Sequence, residues 1–311
     1  MTANAELPLA SENRGAGVMD YFLIGLLSLI FGSSFMFTKW SVAEVGPLTV
    51  ATTRLFIGAA IVLLAAFAAR QSLPRAGAIW FWIALSALFG NALPFALISW
   101  GQVQVDAGLT AILMAIMPLA TLALAHFFTA DERFGIWKLI GMVLGLLGVI
   151  VLMGFETLSS LGDQSLRQYA ILGAALCYAV NAVITKKLVG LPRRATAGSL
   201  LLVAGIMVLP FAALAEAGSF AAPGGLAIIS MIVLGIAPTA FGTLLLFQII
   251  DRQGATFLSQ INFLVPVFGV MFSILFLSEK LPANAFVALT MILIGVALTR
   301  LSPTALSVNR A

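Results

Sequence analysis

Residues 108–133, GLTAILMAIMPLATLALAHFFTADER, have a counterpart in residues 255–280, ATFLSQINFLVPVFGVMFSILFLSEK. An offset of 148 residues pairs Pro118 with Pro266. Three further pairs share an offset of 147 residues: Glu132-Arg133 with Glu279-Lys280, Thr38-Lys39 with Thr185-Lys186, and Gly148-Val149 with Gly295-Val296. Matches at spacings of 147 or 148 residues across several helices predict that the second half of the chain repeats its first half.

The composition of the chain assigns it to a membrane. Of 311 residues, 61% are hydrophobic and 9% are charged, whereas about 25% are charged in a soluble domain. The mean hydropathy is +1.11. These values exclude a water-soluble enzyme and a disordered chain, and they predict an all-α polytopic membrane protein whose surroundings are the lipid bilayer. The net charge of +4 is read loop by loop and does not indicate a nucleic-acid partner.

Ten apolar segments are long enough to cross a bilayer, which takes about 20 residues per helix. They are residues 21–38, 47–69, 78–100, 106–128, 136–154, 168–187, 197–216, 225–249, 254–277 and 283–300. We therefore predict two repeats of five spans, residues 20–155 and 168–301, between a disordered tail at 1–19 and a second tail at 302–311. Because five is odd, the two repeats enter the membrane in opposite directions. Inverted repeats are typical of secondary transporters, whose substrate site lies near the midplane between the repeats.

The basic residues are unevenly divided between alternate loops. Three lie on one side: Lys39, Arg167 and Lys280. Twelve lie on the other: Arg14, Arg70, Arg75, Arg133, Lys138, Lys186, Lys187, Arg193, Arg194, Arg252, Arg300 and Arg310. Since cytoplasmic loops carry the excess of Lys and Arg, both termini are predicted to be cytoplasmic.

Three stretches resemble a known family. They are FGSSFMFTKW at 31–40, TRLFIGAA at 53–60 and ALPFALISWGQVQVDAGLTAILMAIMPL at 92–119. They are similar to the drug/metabolite transporter superfamily, in its ten-helix EamA-type branch, and most of all to its bacterial exporters of aromatic and other amino acids. The resemblance implies two five-helix repeats around a central cavity, in a bacterial plasma membrane, exporting small metabolites.

Polar residues inside a span have no partner in lipid, so we expect them to face the interior of the helix bundle. Helical spacing places them, with neighbouring aromatic and methionine side chains, on one face of each of six spans. The predicted lining is Phe31, Ser34, Thr38, Asn91, Phe95, Ser99, Trp100, Met114, Met117, Tyr178, Asn181, Thr239, Thr243 and Asn262. For any Ser or Thr the alternative is a hydroxyl that bonds within its own helix, and Asn can also join neighbouring helices.

Four prolines inside spans are candidate kinks or hinges: Pro94, Pro118, Pro238 and Pro266. Proline lacks an N–H, so it frees a backbone carbonyl that could bind the ammonium group of a substrate. The three glycines Gly141, Gly145 and Gly148 indicate close packing of the fifth span against another helix.

Ionisable residues are scarce inside the spans. Arg54 lies about two turns into the second span, where it could bind a substrate carboxylate, pair with Glu44 or Asp106, or extend towards the membrane surface. The second repeat has no Arg at the position that matches Arg54. At the position that matches Ser34, the second repeat has Asn181. No Asp or Glu lies deep in a span, and His126 is assigned to the membrane interface. We therefore predict facilitated transport that is not coupled to protons.

Other functions remain open from the sequence. A related alternative is export of other small metabolites or of cationic drugs, although no buried carboxylate would face such a cation. A membrane-embedded enzyme would need paired acids or a metal cluster, and the adjacent acids Asp131-Glu132 are read as part of the repeated loop. One histidine and one cysteine provide no metal site and no Cys/His nucleophile. Neither a cofactor nor an obligate protein partner is predicted, and a channel is a third option.

Overall fold

The computed structural model describes residues 16–75, 77–128, 135–153, 163–217 and 222–300, and the regular structure within them is helical. Within these residues, eight helices are long and apolar enough to cross a membrane, and two shorter apolar helices follow them. The helices are α1 Val18–Val42, α2 Pro47–Ala68, α3 Ile79–Gln102, α4 Ala107–Met114 with Met117–Phe128, α5 Ile136–Met153, α6 Asp163–Ile184, α7 Arg193–Ala215, α8 Gly225–Gly254, α9 Ile261–Leu277 and α10 Ala283–Arg300. These ten helices confirm the predicted all-α fold with its ten spans.

Three helices begin several residues earlier than the sequence predicts and one begins several residues later. Helix α1 starts at Val18 and not at 21, and α9 starts at Ile261 and not at 254. The structure starts α6 at Asp163 and α7 at Arg193, whereas the apolar segments begin at 168 and 197. The exposed Arg193 and Arg194 continue α7 beyond its apolar stretch, since long basic side chains can reach water from a helix end. The predicted loop acids Asp131 and Glu132 and most of both predicted tails lie outside the described residues.

The internal repeat extends to irregularities of the backbone. A π-helical segment interrupts α3 at Leu88–Ala92, and another interrupts α8 at Gly235–Phe241. Their first residues are 147 positions apart, which is the offset of the sequence repeat. Each π turn inserts an extra residue into the helix and breaks the regular hydrogen-bond ladder, and such turns are frequent at functional sites.

The two repeats interlock through pairs of helices. Helix α2 packs against α7, α5 against α10, α4 against α9, and α3 against α6. Helix α1 packs against both α8 and α9. The pairs α2–α7, α5–α10 and α4–α9 are each formed by repeat-related helices, so the interface between the repeats runs through the centre of the bundle.

The glycine stripe of α5 faces α10, which confirms its predicted role in packing. A Cβ atom on Gly148 would lie 2.8 Å from the Ile292 side chain and 3.0 Å from the Ala288 carbonyl oxygen. A Cβ atom on Gly295 would lie 2.5 Å from the Gly141 carbonyl oxygen and 3.0 Å from the Gly145 nitrogen. Small residues at these positions let the helices approach closely, and helices in a membrane associate largely through such packing.

Side chains of the partner repeat cap several helix ends. We call the face at which α1, α3, α5, α7 and α9 begin the terminal face, and the opposite one the far face. At the far face Glu216 accepts hydrogen bonds from the Leu48 and Thr49 amides of α2, at 2.8 and 2.9 Å. At the terminal face Gln71 accepts from the Arg194 and Ala195 amides of α7, at 3.0 and 3.2 Å. These contacts satisfy N–H groups that a helix start leaves free.

Candidate functional site

A cavity of about 390 Å³ lies between the two repeats. Its wall is formed by eight of the helices, because the described residues of α5 and α10 do not reach it. The residues that line it are Phe31, Ser34, Phe35, Thr38, Arg54, Gly90, Asn91, Phe95, Ile98, Ala111, Met114, Ala115, Met117, Pro118, Tyr178, Leu201, Pro238, Thr239, Thr243, Leu246, Ile261, Asn262, Val265 and Pro266.

Most of the residues singled out in the sequence lie at this wall. From the first repeat they are Phe31, Ser34, Thr38, Asn91, Phe95, Met114, Met117 and Pro118, and from the second Tyr178, Thr239, Thr243, Asn262, Pro238 and Pro266. Both π-helical segments contribute to the wall, one through Gly90 and Asn91 and the other through Pro238 and Thr239. The irregular backbone of each repeat therefore borders the same space.

Three predicted lining residues and one predicted hinge lie outside the wall. On a regular helix Ser99 is rotated by about 80° and Trp100 by about 180° from Asn91, so Ile98 takes the lining position instead. Ser99 is 1% exposed. Trp100 stacks on the Arg167 guanidinium, with 3.9 Å from Cζ to the ring centroid. Pro94 is buried at the start of the last segment of α3.

Asn181 joins two helices rather than facing the cavity. Its Oδ1 accepts a hydrogen bond from the Ser86 hydroxyl of α3 at 2.7 Å, and its amide packs against Gly90. On α6 it is rotated by about 60° from the lining residue Tyr178. Asn181 therefore has the helix-joining role that the sequence left open as its alternative.

The hydroxyls at the wall bond within their own helices. Ser34 donates to the Phe31 carbonyl at 2.6 Å, Thr38 to the Ser34 carbonyl at 2.8 Å, and Thr243 to the Thr239 carbonyl at 2.6 Å. A hydroxyl that has donated its proton keeps oxygen lone pairs that can accept a further hydrogen bond. These residues therefore present acceptors, not donors, to a molecule in the cavity.

Two lining residues come from helices that the lining prediction did not include. Arg54 of α2 is 6% exposed, and its Cζ lies 3.8 Å from the centroid of the Phe95 ring. Its Nε donates to the Thr239 hydroxyl at 3.3 Å. Leu201 of α7 is the other residue. It follows Arg54 by 147 positions, so the repeat offset was the sequence signal that could have identified it.

Polar contacts close the cavity towards the far face. The Lys39 ammonium of α1 donates to the Gln102 and Val105 carbonyls at the end of α3, at 2.9 and 3.0 Å. The Gln102 side-chain amide donates back to the Phe35 carbonyl of α1 at 3.0 Å. Near them Glu279 accepts from the Ala107 and Gly108 amides that begin α4. Helices α1, α3, α4 and the end of α9 are thereby joined at the far face.

At the described part of the terminal face, the repeat-related helices do not pack in the same way. At the far-face half of the bundle α1 packs against α3 and α4. The repeat-related packing would join α6 to α8 and α9, and the described parts of these helices show no comparable contact. The segment Met117–Phe128 of α4 packs mainly against α6. Among the described residues, the helices that border the cavity are therefore joined more extensively at the far face than α6 is joined to α8 and α9 at the terminal face.

An apolar bundle of ten helices, formed by two interlocking repeats with a cavity at their interface, defines the class of membrane transporters. The EamA-like transporter family matches residues 19–154 and 168–301, and the chain belongs to this family.

Several known proteins are similar to the chain over most of its length. YoaV of Bacillus subtilis, an uncharacterised transporter, is 27% identical over 280 residues, which cover 88% of this chain and 94% of YoaV. A probable amino-acid metabolite efflux pump of Escherichia coli is 26% identical over 286 residues, with 89% and 93% coverage. A crystal structure with 19% identity has a TM-score of 0.65 and covers 89% of this chain and 94% of its own. The protein in that crystal structure therefore has the same fold as this chain.

Replacing Asn91 by Ala is expected to lower flux about tenfold while leaving the yield of folded protein unchanged. The side chain lies at the cavity wall, and losing one hydrogen bond between membrane helices costs only about 0.6 kcal/mol of stability. Asn181→Ala is the matched control, because it removes the same amide outside the wall. Substrate flux per folded transporter measures both. Equal flux in the two variants would remove Asn91 from the site.

Proposed function

We propose that the protein exports amino acids with aromatic or other large apolar side chains, with broad specificity, by alternating access across a bacterial plasma membrane. The two repeats provide two related sets of helices on either side of one cavity, and rocking between such sets is how inverted-repeat transporters expose a site to each face in turn. The substrate class is inferred from the chemistry of the wall.

The composition of the cavity wall carries this proposal. Aromatic and methionine side chains supply an apolar and adaptable surface: Phe31, Phe95, Tyr178, Met114 and Met117. Methionine is unbranched and polarisable, so it can accommodate side chains of different shape. Among the described residues the wall has no Asp or Glu. This favours amino acids over cationic drugs, because a buried organic cation needs a compensating negative charge.

The wall also offers acceptors for an ammonium group. The hydroxyls of Ser34, Thr38 and Thr243 have already donated their protons within their helices, and their lone pairs remain available. Asn91 and Asn262 add amide oxygens. Proline and π turns free nearby backbone carbonyls. Several neutral acceptors can together bind an N–H-rich ammonium, whereas a quaternary amine has no N–H to donate.

Transport is proposed to be facilitated and independent of protons. A proton-coupled carrier usually has an acid or histidine within the membrane, where protonation can change substrate binding. The described part of the cavity wall has neither, and the side chain of His126 lies outside the described residues. Export down a concentration gradient suits a protein that relieves internal accumulation of an amino acid.

Radiolabelled phenylalanine should enter proteoliposomes that contain the purified protein, with saturable kinetics and exchange against internal substrate. Uptake should not change when a protonophore is added or when the pH gradient is reversed, and His126→Ala should retain most of it. Protein-free liposomes are the control, and unlabelled tryptophan, leucine and tetraphenylphosphonium form the competition panel. Accumulation above the external concentration only under a proton gradient would contradict facilitated transport. Competition by the organic cation alone would contradict the substrate class.

A further inference from the structure

Arg54 is a buried cation at the cavity wall, and it has no anionic partner in the part of the chain that the structure describes. Its Nε donates to the Thr239 hydroxyl, and that hydroxyl donates in turn to the Leu234 carbonyl at 2.7 Å. Both partners are neutral. Within the described residues Arg54 takes part in no ion pair, and no hydrogen bond uses either of its Nη atoms. Buried charges in proteins are normally paired, so an anionic ligand that bound to this guanidinium would compensate its charge.

The two acids that the sequence offered as partners are not available to Arg54. Glu44 lies at the far face, where its carboxylate accepts a hydrogen bond from the Gly224 amide that precedes α8. Asp106 is the residue before α4, also at the far face. Arg54 is instead directed into the bundle, against Phe95 and Thr239, where it lines the cavity. No side chain among the described residues therefore neutralises this charge.

The contacts of the guanidinium leave its donor edge free. Phe95 covers one face of the guanidinium plane through a cation–π contact. Thr239 occupies the Nε–H donor. The Nη–H groups lie in the plane itself, where two parallel N–H donors match the two oxygens of a carboxylate. The Phe95 ring holds the plane of the guanidinium, and the Thr239 hydroxyl holds its rotation within that plane. The guanidinium is therefore oriented before a ligand binds.

The repeat shows that this charge is present on one side only. The position 147 residues after Arg54 is Leu201, and it lines the same cavity. A dicarboxylate or a phosphate dianion would retain an unbalanced charge against Leu201, because the described wall has no second cation. A monocarboxylate would leave no unbalanced charge at Arg54. Its apolar part could extend towards Leu201, on the side of the cavity that has no charge.

We propose that Arg54 binds the carboxylate of the transported molecule and selects monocarboxylates with an apolar side chain. The inference rests on the proposed function in one respect, since it takes the cavity to be the substrate site. It extends that function, because a carboxylate anchor admits apolar carboxylic acids that have no amino group. Arg54 is thus the specificity-determining residue of the cavity, and the amino group is secondary to the carboxylate in recognition.

Competition on proteoliposomes separates the two ends of the substrate. With the wild-type protein, 3-phenylpropionate should inhibit uptake of labelled phenylalanine, whereas 2-phenylethylamine should inhibit it at least tenfold more weakly. The two competitors share the phenyl group and a two-carbon chain, so the comparison isolates the carboxylate. Equal inhibition by the two compounds, or stronger inhibition by the amine, would overturn the proposal.

Two substitutions then test the residue. Arg54→Met removes the charge and keeps most of the length of the side chain, and it should raise the KM for phenylalanine about 10- to 100-fold, as expected for lost hydrogen bonds to a charged group. Arg54→Lys keeps the charge without the two-pronged donor edge and should raise KM by a smaller factor. Arg194→Met removes an exposed arginine outside the cavity and should leave the competition profile unchanged. Unchanged KM and selectivity in Arg54→Met would overturn the proposal while leaving amino-acid export intact.

A binding measurement keeps the inference independent of phenylalanine transport. Thermal unfolding of the purified wild-type protein should shift upwards with 3-phenylpropionate and not with 2-phenylethylamine, because a ligand that binds only the folded state stabilises it. The shift should be absent in Arg54→Met and partly kept in Arg54→Lys. A wild-type protein that binds the carboxylate but does not move phenylalanine would contradict the proposed function alone. If Arg54→Met does not fold, a reduced shift in Arg54→Lys still supports the proposal, and a full wild-type shift in that variant contradicts it.

Discussion

Gly32→Leu is expected to abolish accumulation of the folded protein. Gly32 lies in α1 at its contact with α9, where a Cβ atom would be 2.6 Å from Cβ of Phe268 and 3.0 Å from the Gly269 nitrogen. The Val265 carbonyl oxygen lies at 3.1 Å from the same point. Two of these atoms belong to the backbone of α9, so they can give way only if the helices separate. Overpacking a close contact costs about 1–3 kcal/mol and more where the backbone must move.

Gly25→Leu is the matched control within the same helix. Gly25 precedes Gly32 by two turns, and no atom lies within 4 Å of the Cβ position there. The substitution also replaces a poor helix former by a good one, so stability should be equal to or above that of the wild type. Size-exclusion profiles and thermal unfolding after detergent extraction measure both variants. Wild-type behaviour of Gly32→Leu, or equal failure of Gly25→Leu, would contradict the close approach of α1 and α9.

A cysteine at position 262 is expected to react rapidly with a thiol reagent applied to the terminal face. Asn262 lies in the first turn of α9 at the cavity wall, and contacts at the far face close the cavity there. In a Cys177→Ser background, which removes the native cysteine of the chain, an impermeant maleimide should label Asn262→Cys at least tenfold faster from the terminal face than from the far face. Labelling should also block flux.

Two further cysteine variants make the labelling result interpretable. Lys187→Cys, at an exposed position after α6, should label from the terminal face and report which face each vesicle preparation presents. Ser99→Cys, at a site 1% exposed, should not label from either face. Because the basic loops predict that the terminal face is cytoplasmic, inside-out vesicles should give the fast reaction. Faster labelling of Asn262→Cys from the far face would show that the cavity opens in the other direction.

The membrane class and the repeat could be predicted because both depend on the order of residues along the chain. Hydrophobic segments of about 20 residues predict spanning helices without any knowledge of their neighbours. The pairing of Pro118 with Pro266 predicts the repeat in the same way. Even the glycine stripe of α5 was interpretable, because residues three or four positions apart share a helix face.

The face that each helix turns towards the cavity could be predicted only in part. On α3 the residues that face the cavity are Asn91, Phe95 and Ile98. Whether Ile98 or Ser99 takes the last of these positions depends on how α3 is rotated about its axis relative to its neighbours. Asn181 shows the same limit, since its amide meets Ser86 and Gly90 of another helix. Polarity shows that a side chain needs a partner but does not identify the partner.

The sequence by itself determined that this chain is a ten-helix membrane protein with two inverted repeats, because hydrophobicity, helical period and repeat offset are all properties of the linear chain. Only the tertiary structure decided what Arg54 does. From the sequence it could bind a ligand, pair with a loop acid or extend to the surface, because each of these keeps the charge away from lipid. Packing of α2 between α7 and α8 directs the guanidinium onto Phe95 and Thr239. The contact with Thr239 joins the two repeats, so it exists only once they have interlocked.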